Sequence, residues 1–250
     1  MVIKWNVTIT ALSGDTPRRA YVYLPEDYAK SGKRYPVLYM FDGHNVFFDE
    51  DATYGKSWGM LEYLKKYPKD LIIAAVECNH EGNQRLVEYT PMASVNCDLG
   101  RIRGRGKATF QWLIQEFKPY IDKKYRTLPD RKHTLLAGSS MGGLMALYGV
   151  TAYNSVFQRA ACLSPSLWID PGQVLEFVAR AKIRRDTNIY MDYGEKELRG
   201  HEASQMALSQ TVQLLCAKGA NLTFRIVPGG EHCEASWEKQ IPIFMACLGL

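Results

Sequence analysis

The chain has 250 residues, a length that fits one large α/β domain or two small ones, and its 46% hydrophobic and 23% charged residues are ordinary for a soluble globular protein. Its longest apolar run, LIIAAV at residues 71–76, is far shorter than the roughly 18 residues that a membrane-spanning helix needs, so no such helix is expected. The formal net charge of +5 is compatible with nucleic-acid binding, yet no RRM, KH or helix-turn-helix motif accompanies it.

Two kinds of strand pattern follow each other along the chain. Residues 4–10 and 19–24 alternate apolar and polar side chains around the turn sequence SGDTP, which predicts a half-exposed antiparallel pair. The later strand candidates are short, continuous apolar runs, which are typical of a parallel sheet buried on both faces. They cover residues 36–41, 71–76, 133–138, 159–164, 187–193 and 222–227.

Segments with helical spacing of apolar residues separate these runs. They cover residues 58–67, 108–125, 141–152, 171–183, 201–218 and 234–248. Because a parallel crossover needs a connection of this length, the alternation predicts a doubly wound α/β fold with the N-terminal hairpin at one edge. In such a sheet, ligands bind beyond the carboxyl ends of the strands. No repeat or linker divides the chain, so we expect a single domain over residues 1–250.

The basic segment RIRGRGK, residues 101–107, alternates glycine with arginine and lysine. We interpret it as a solvated loop rather than an RNA-binding arm. It is not a phosphate loop either, because Arg101 stands where the first glycine is required and alanine follows Lys107. The sequence therefore predicts no nucleic-acid partner.

The segment GSSMG, residues 138–142, matches the pattern G-x-S-x-G with Ser140 at its centre. The match lies where an apolar strand gives way to a helix, which is where a nucleophile elbow places its serine. The flanking glycines let the strand and helix backbones approach each other, while the serine takes a strained conformation. Ser139 does not fit the pattern, because Ala137 and Met141 would replace the glycines. We therefore predict that Ser140 is a nucleophile.

A serine nucleophile needs a base, and this fold orders nucleophile, acid and base along the chain. His232 fits this order, because it lies in the turn sequence GGEHCEASW between the last strand and the last helix. The other histidines precede the serine, begin the strand that leads to it, or lie at a helix start: His44, His80, His133 and His201. We predict that His232 is the base.

The acid is expected in the turn after the preceding strand, within YMDYGEKE. Asp192 lies inside that strand, and Glu195 directly follows Gly194. Glu197 is clear of the strand end, so we favour it as the acid. The residues themselves leave Asp192 and Glu195 open as alternatives.

Acyl transfer also needs N–H donors for the oxyanion. The backbone N–H of Met141 is one candidate, because it follows the nucleophile at a helix N-terminus. The second donor is expected from the loop at residues 41–50, where the backbone N–H of Gly43 or His44 is the candidate. Trp168, in LSPSLW, is either a wall of the substrate pocket or a core aromatic residue.

The cysteines are scattered and form no C-x-x-C pair: Cys78, Cys97, Cys162, Cys216, Cys233 and Cys247. The first residues, MVIKWNVTIT, do not resemble a signal peptide. We therefore expect reduced thiols in a cytoplasmic protein, without disulfides and without a metal site.

With these residues assembled, the chain resembles the Putative esterase family of α/β-hydrolases, which includes esterase D, enterochelin-type esterases, and feruloyl and acetyl xylan esterases. The resemblance implies Ser140 as nucleophile, Glu197 as acid and His232 as base. It is carried by the segments YPVLYMFDGHNVF, RLVEYTP, YIDKKYRTLPDRKHTLLAGSSMGGLMAL, LSPSLW, YMDYGEKE and GGEHCEASW.

The chain departs from the family pattern in two places. Many members read HDGQN where residues 41–45 read FDGHN, which implies a differently arranged oxyanion loop. The family acid is often aspartate, and Glu197 keeps the carboxylate but lengthens its reach. The loop at residues 78–106 carries Arg85, Glu88 and Tyr89, which we expect to line an acyl or sugar site.

The sequence thus predicts a serine carboxylesterase without a cofactor. The short segment after LSPSLW leaves no room for a large lid, which favours a soluble ester with a small or aromatic acyl group, such as one on a carbohydrate. A siderophore trilactone, a thioester of the S-formylglutathione type and a non-catalytic scaffold are the alternatives. We expect a small-molecule ester as the binding partner and no binding to a membrane. The oligomeric state stays open between a monomer and a homo-oligomer.

Overall fold

The structure is a computed structural model that describes residues 1–96 and 98–250, so Cys97 lies outside the described residues. In this part of the chain the strands are β1 (Val2–Thr8), β2 (Pro17–Tyr23), β3 (Val37–Met40), β4 (Ile72–Val76), β5 (Ser94–Asn96), β6 (Gly100–Ile102), β7 (Thr134–Ser139), β8 (Arg159–Leu163), β9 (Asn188–Gly194) and β10 (Asn221–Val227).

The same residues contain helices α1 (Thr10–Ser13), α2 (Met60–Lys66), α3 (Gln84–Tyr89), α4 (Gly106–Trp112), α5 (Lys118–Lys124), α6 (Met141–Ala152), α7 (Pro171–Arg180), α8 (Glu195–Leu198), α9 (Glu202–Ala217), α10 (Glu234–Glu238) and α11 (Ile241–Cys247). A π-helical turn at Leu113–Phe117 joins α4 to α5, so the helix predicted at 108–125 is continuous but irregular. The helix predicted at 234–248 is divided, because Pro242 belongs to the first turn of a new helix and cannot extend the old one.

One sheet has the order β1-β2-β4-β3-β7-β8-β9-β10, and β5 pairs with β6 in a separate hairpin. The pairs β1–β2 and β2–β4 are antiparallel, and every later neighbour in the large sheet is parallel. The predicted doubly wound α/β fold with an N-terminal antiparallel hairpin is therefore confirmed.

Both faces of the central strands are buried. Along β3, Val37 and Tyr39 pack in one core layer while Leu38 and Met40 pack in the other, because successive side chains point to opposite faces. All residues of β7 are buried, whereas β10 at the sheet edge has only intermediate and exposed ones. None of the helices in the described residues is both long and apolar enough to cross a membrane.

The connection from β4 to α4 contains α3 and the β5–β6 hairpin, which the apolar patterns did not predict. Glycine permits close packing here, since a Cβ on Gly104 would lie 2.0 Å from the Met92 carbonyl oxygen and one on Gly106 would lie 2.8 Å from Pro91 Cα. The glycines of RIRGRGK thus serve to pack the start of α4 against residues 91–93.

Candidate active site

Ser140 lies at the junction of β7 and α6 in a strained backbone conformation, with φ of 58° and ψ of −124°. A Cβ on Gly138 would meet the backbone of Gly142 at 2.5 Å, and one on Gly143 would meet the Leu163 carbonyl oxygen at 2.7 Å. Glycine is therefore required at these positions so that strand and helix can cross closely. The result is a sharp turn that carries the serine side chain to the carboxyl end of the sheet.

Three side chains that are distant in sequence form one hydrogen-bonded chain at this end. Ser140 Oγ lies 2.9 Å from His232 Nε2, and His232 Nδ1 lies 2.6 Å from Glu197 Oε2. Ser140 follows β7, Glu197 lies in α8 directly after β9, and His232 lies in the turn after β10. The structure thus brings together the three residues that the sequence analysis selected.

The Glu197 carboxylate is held by two further donors. Its Oε1 accepts hydrogen bonds from the Ser164 hydroxyl at 2.7 Å and from the Gly194 N–H at 2.8 Å. Burial opposes ionisation of this group, but the hydrogen bonds from His232, Ser164 and Gly194 outweigh it and hold the pKa of Glu197 below its usual value. Glu197 is therefore a fixed anion at neutral pH.

Sequence reasoning missed Ser164 and Ser166, which follow β8 in the segment LSPSLW. Besides donating to Glu197, the Ser164 hydroxyl accepts a hydrogen bond from Trp237 Nε1 at 3.0 Å. Ser166 Oγ lies 3.3 Å from Ser140 Oγ, and its N–H donates to the Ser140 carbonyl oxygen at 3.0 Å. The only signal in the sequence is that both serines follow a strand end beside the elbow.

The other carboxylates of the turn point elsewhere. Asp192 is 1% exposed in β9 and accepts hydrogen bonds from the Tyr190 hydroxyl at 2.7 Å and the Ser164 N–H at 3.2 Å. Burial is the main cause that raises its pKa to about 6. Glu195 pairs with Arg199 and accepts from the Gly229 N–H at 2.9 Å.

The loop after β3 holds the candidate oxyanion residues. The backbone of Asp42 adopts the left-handed helical conformation, with φ of 55°. Gly43 and His44 begin a short 3₁₀ turn at Gly43–Asn45. A Cβ on Gly43 would lie 2.9 Å from the backbone of Val76, so the glycine is needed for packing against the end of β4. Met141 begins α6, where N–H groups point out of the helix end.

Arg85 fixes this loop by a bidentate ion pair, in which Nε and Nη2 donate to the two carboxylate oxygens of Asp42 at 2.8 Å each. Although Asp42 is buried, the charge and hydrogen bonds of Arg85 keep its pKa below the usual value. Tyr89 also belongs to the support of the loop, since its hydroxyl accepts from the Asp42 N–H at 3.2 Å.

Two of the three residues expected to line a substrate site from the loop at 78–106 do not do so. Glu88 is 2% exposed because it forms a buried ion pair with Arg18 of β2. Tyr89 is buried against Phe41, with ring centroids 5.4 Å apart. Only Arg85 of this set lines a cleft at the site.

Two clefts meet at His232. The first, which we call the serine cleft, has a volume of about 460 Å³ and is lined by residues that include His44, Cys78, His80, Arg85, Ser140 and His232. The second, which we call the tryptophan cleft, has a volume of about 690 Å³ and is lined by residues that include Asn96, Pro165, Trp168, Glu197, His201 and His232. Trp168 is 43% exposed, which places it on a cleft wall and not in the core.

Comparisons with known proteins agree on one family and one fold. The model of the family described as Putative esterase matches residues 12–244. The uncharacterized protein YbbA of Bacillus subtilis is 24% identical over 234 residues, which are 89% of each chain. Esterase Rv1288 of Mycobacterium tuberculosis is 31% identical over 140 residues, which are 56% of this chain and 27% of that protein.

Solved structures extend the comparison to the whole chain. An IroE-like serine hydrolase from Shewanella oneidensis superposes with a TM-score of 0.77 and 20% identity, covering 100% of this chain and 79% of that one. A ferulic acid esterase superposes with a TM-score of 0.69 and 17% identity, covering 100% and 98%. At these identities the likeness establishes a shared α/β fold.

Proposed function

The chain belongs to the Putative esterase family of ester hydrolases, and we propose that it cleaves carboxylic esters with Ser140 as nucleophile, His232 as base and Glu197 as acid. The observation that carries the proposal is the unbroken hydrogen-bonded chain from Ser140 Oγ through both ring nitrogens of His232 to Glu197, with distances of 2.9 and 2.6 Å. A serine hydroxyl is a weak nucleophile unless such a base accepts its proton.

In the proposed reaction, Ser140 Oγ attacks the ester carbonyl carbon while His232 Nε2 takes the hydroxyl proton. The Glu197 carboxylate accepts from Nδ1–H, which holds the reactive tautomer and stabilises the imidazolium. The oxyanion is placed against the Met141 N–H and a second N–H from Gly43 or His44. His232 then protonates the leaving alcohol, and water, activated by the same histidine, releases the acid and restores Ser140.

We propose a small or aromatic acyl ester as the substrate, for instance one carried by a carbohydrate. The two clefts that meet at His232 give room for groups on both sides of the ester bond. Trp168 offers a half-exposed ring face against which an aromatic or sugar ring can pack. The fold-level likeness to a ferulic acid esterase is in line with an aromatic acyl group. Only the short 3₁₀ turn Leu167–Ile169 stands between Ser166 and α7, which leaves this side of the site without a large lid.

The test is hydrolysis of p-nitrophenyl acetate, butyrate and octanoate and of methyl ferulate, from about pH 5 to about pH 9. Ser140→Ala is expected to lower kcat on the order of 10⁴- to 10⁶-fold, because it removes the nucleophile. Ser139→Ala is the matched control, since Ser139 also lines the serine cleft but belongs to β7 and is expected to keep most activity. If Ser140→Ala hydrolyses these esters as fast as the wild type, the proposed mechanism is wrong.

We also propose a cytoplasmic location, in which thiols stay reduced. The cysteines that the structure describes are free thiols: Cys78, Cys162, Cys216, Cys233 and Cys247. Fractionation of cells that express the protein tests this, and recovery outside the cytoplasmic fraction would contradict it.

A further inference from the structure

A second group of reactive side chains lies in the serine cleft, apart from the hydrogen-bonded chain of Ser140. His44 follows β3, and Cys78 and His80 follow β4. Because β3 and β4 are parallel neighbours, their carboxyl ends meet at the same rim. One ligand atom from each of the three residues lies within 4.8 Å of the other two. The sequence analysis did not identify this cluster, because His44 comes from a different loop than Cys78 and His80 and the cysteines form no C-x-x-C pair.

The His44 ring is already oriented by a hydrogen bond on one nitrogen. Its Nε2 lies 3.0 Å from Thr53 Oγ1, and the Thr53 N–H in turn donates to Asn45 Oδ1 at 3.0 Å. Metal-binding histidines commonly donate their second ring N–H to such a fixed partner, which sets the tautomer. When Nε2 carries the proton, Nδ1 presents a lone pair.

That second nitrogen lacks a hydrogen-bond partner in the part of the chain that the structure describes. His44 is 4% exposed, and its Nδ1 is buried without a hydrogen bond to any of residues 1–96 and 98–250. A buried polar atom without a partner is costly, so a group that accepts its lone pair would stabilise the fold.

We propose that His44, Cys78 and His80 form a binding site for a divalent zinc ion, with a fourth coordination position open to the serine cleft. Two imidazole nitrogens and one thiolate suit a borderline-soft cation, and three protein ligands with one open position are a usual zinc arrangement. On binding, the Cys78 Sγ–H proton leaves to solvent and the sulfur binds as thiolate.

The geometry needs only a small adjustment. Tetrahedral zinc with ligands at about 2.0–2.3 Å brings the ligand atoms to about 3.5 Å from one another. The His80 side chain is 51% exposed and lies on a loop, with its Nε2 3.7 Å from Glu77 Oε2. Because the side chain is exposed, it can turn from Glu77 toward the two buried ligands. Its ring is already beside that of His44, with centroids 4.5 Å apart and an interplanar angle of 77°.

Metal-free, reduced protein titrated with Co²⁺, a spectroscopic substitute for Zn²⁺, tests the site directly. We expect one equivalent to bind with a sulfur-to-cobalt charge-transfer band, and Zn²⁺ to displace it. Cys78→Ser is expected to lose the band, and His80→Ala to weaken binding at least about tenfold. Cys233→Ser is the matched control, because Cys233 lines the same cleft beside His232 and its thiol is not part of the proposed site.

Two results would overturn the site: no binding of Co²⁺ to the wild type, or a charge-transfer band that persists in Cys78→Ser and disappears in Cys233→Ser. Circular dichroism of each variant establishes that it is folded. Should Cys78→Ser fail to fold, His80→Ala still decides the matter, because its exposed side chain can be removed without opening the core.

Zinc bound here would project into the cleft that contains Ser140 and obstruct an ester, a consequence that rests on the proposed function. We expect Zn²⁺ to inhibit the wild type and Cys233→Ser but not His80→Ala. Equal inhibition of His80→Ala would mean that the ion acts elsewhere, for instance on His232. If the metal-free enzyme does not hydrolyse esters, the proposed function is wrong. The cobalt titration still tests the metal site in that case, because it does not depend on activity.

Discussion

Glu197 receives hydrogen bonds from His232, Ser164 and Gly194, and its carboxylate is therefore held in one position. Glu197→Gln keeps the size of the side chain but removes the charge that stabilises the imidazolium and selects its tautomer. We expect kcat for p-nitrophenyl acetate to fall by about 10³- to 10⁴-fold with a small change in KM. Glu195→Gln is the control, and an equal loss in both variants would argue against Glu197 as the acid.

The pKa of Asp192 is shifted upward, in the opposite direction to that of Glu197, and this shift makes the stability of the fold depend on pH. Burial raises its pKa to about 6 from the usual 3.8, so the folded chain keeps a proton that the unfolded chain has lost. The free energy of unfolding therefore declines as pH rises between these two values, by on the order of 2–3 kcal/mol. Asp192→Asn removes this titration.

Denaturant unfolding of the wild type and Asp192→Asn at pH values from about 4 to about 7 measures this effect. We expect the stability of the variant relative to the wild type to increase with pH across that interval. A difference that stays constant would show that Asp192 ionises normally in the folded protein.

Residue-level prediction was limited by turn geometry. The strand-turn-helix pattern around GSSMG was enough to select Ser140, and chain order was enough to select His232. The acid stayed open among three carboxylates, because the choice depends on how the chain turns after Gly194. There the Gly194 backbone packs so closely on Gly230 that a Cβ would lie 2.4 Å from the Gly230 carbonyl oxygen, a long-range contact that sequence spacing does not reveal.

Among the elements, β10 is distinctive, because it carries His232 in its following turn and yet forms an edge of the sheet. Its residues are exposed or half-buried, whereas those of β7 are all buried. Edge elements with little buried surface open locally at a lower free energy than the core. We therefore expect ester hydrolysis to be lost at lower denaturant concentrations than the far-ultraviolet circular dichroism signal.

Amide hydrogen exchange offers a second measurement of the same difference, since the amides of β10 should exchange faster than those of β7. Coincident curves for hydrolysis and circular dichroism, together with equal protection of both strands, would contradict this expectation.

The elements differed in how well the sequence predicted them, and the reasons are burial and length. All six continuous apolar runs form strands of the large sheet. The central strands are buried on both faces and leave little room for polar residues, whereas β10 at the edge is half-buried or exposed. The β5–β6 hairpin and α3 were missed, because strands of three residues and a helix of six are too short to show a clear pattern of apolar residues.

At the scale of the whole molecule, the fold was predictable because strand and helix signals alternate along nearly the entire chain. The clusters of side chains at the carboxyl ends of the strands were less predictable. Parallel strands gather residues from distant loops, and the grouping of His44 with Cys78 and His80 depends on the adjacency of β3 and β4. Periodicity identifies elements but contains no information on which strands become neighbours.

The sheet also fixes where the chain begins and ends relative to the site. Val2 of β1 pairs with Tyr23, which pairs with Ile73 near the start of β4, and Lys69 Nζ, just before β4, donates to the Leu250 carbonyl oxygen at 3.1 Å. Both ends of the described chain thus lie at the rim opposite Ser140. A purification tag, a surface tether or a fused protein can be attached to either end without obstructing the entrance to the clefts.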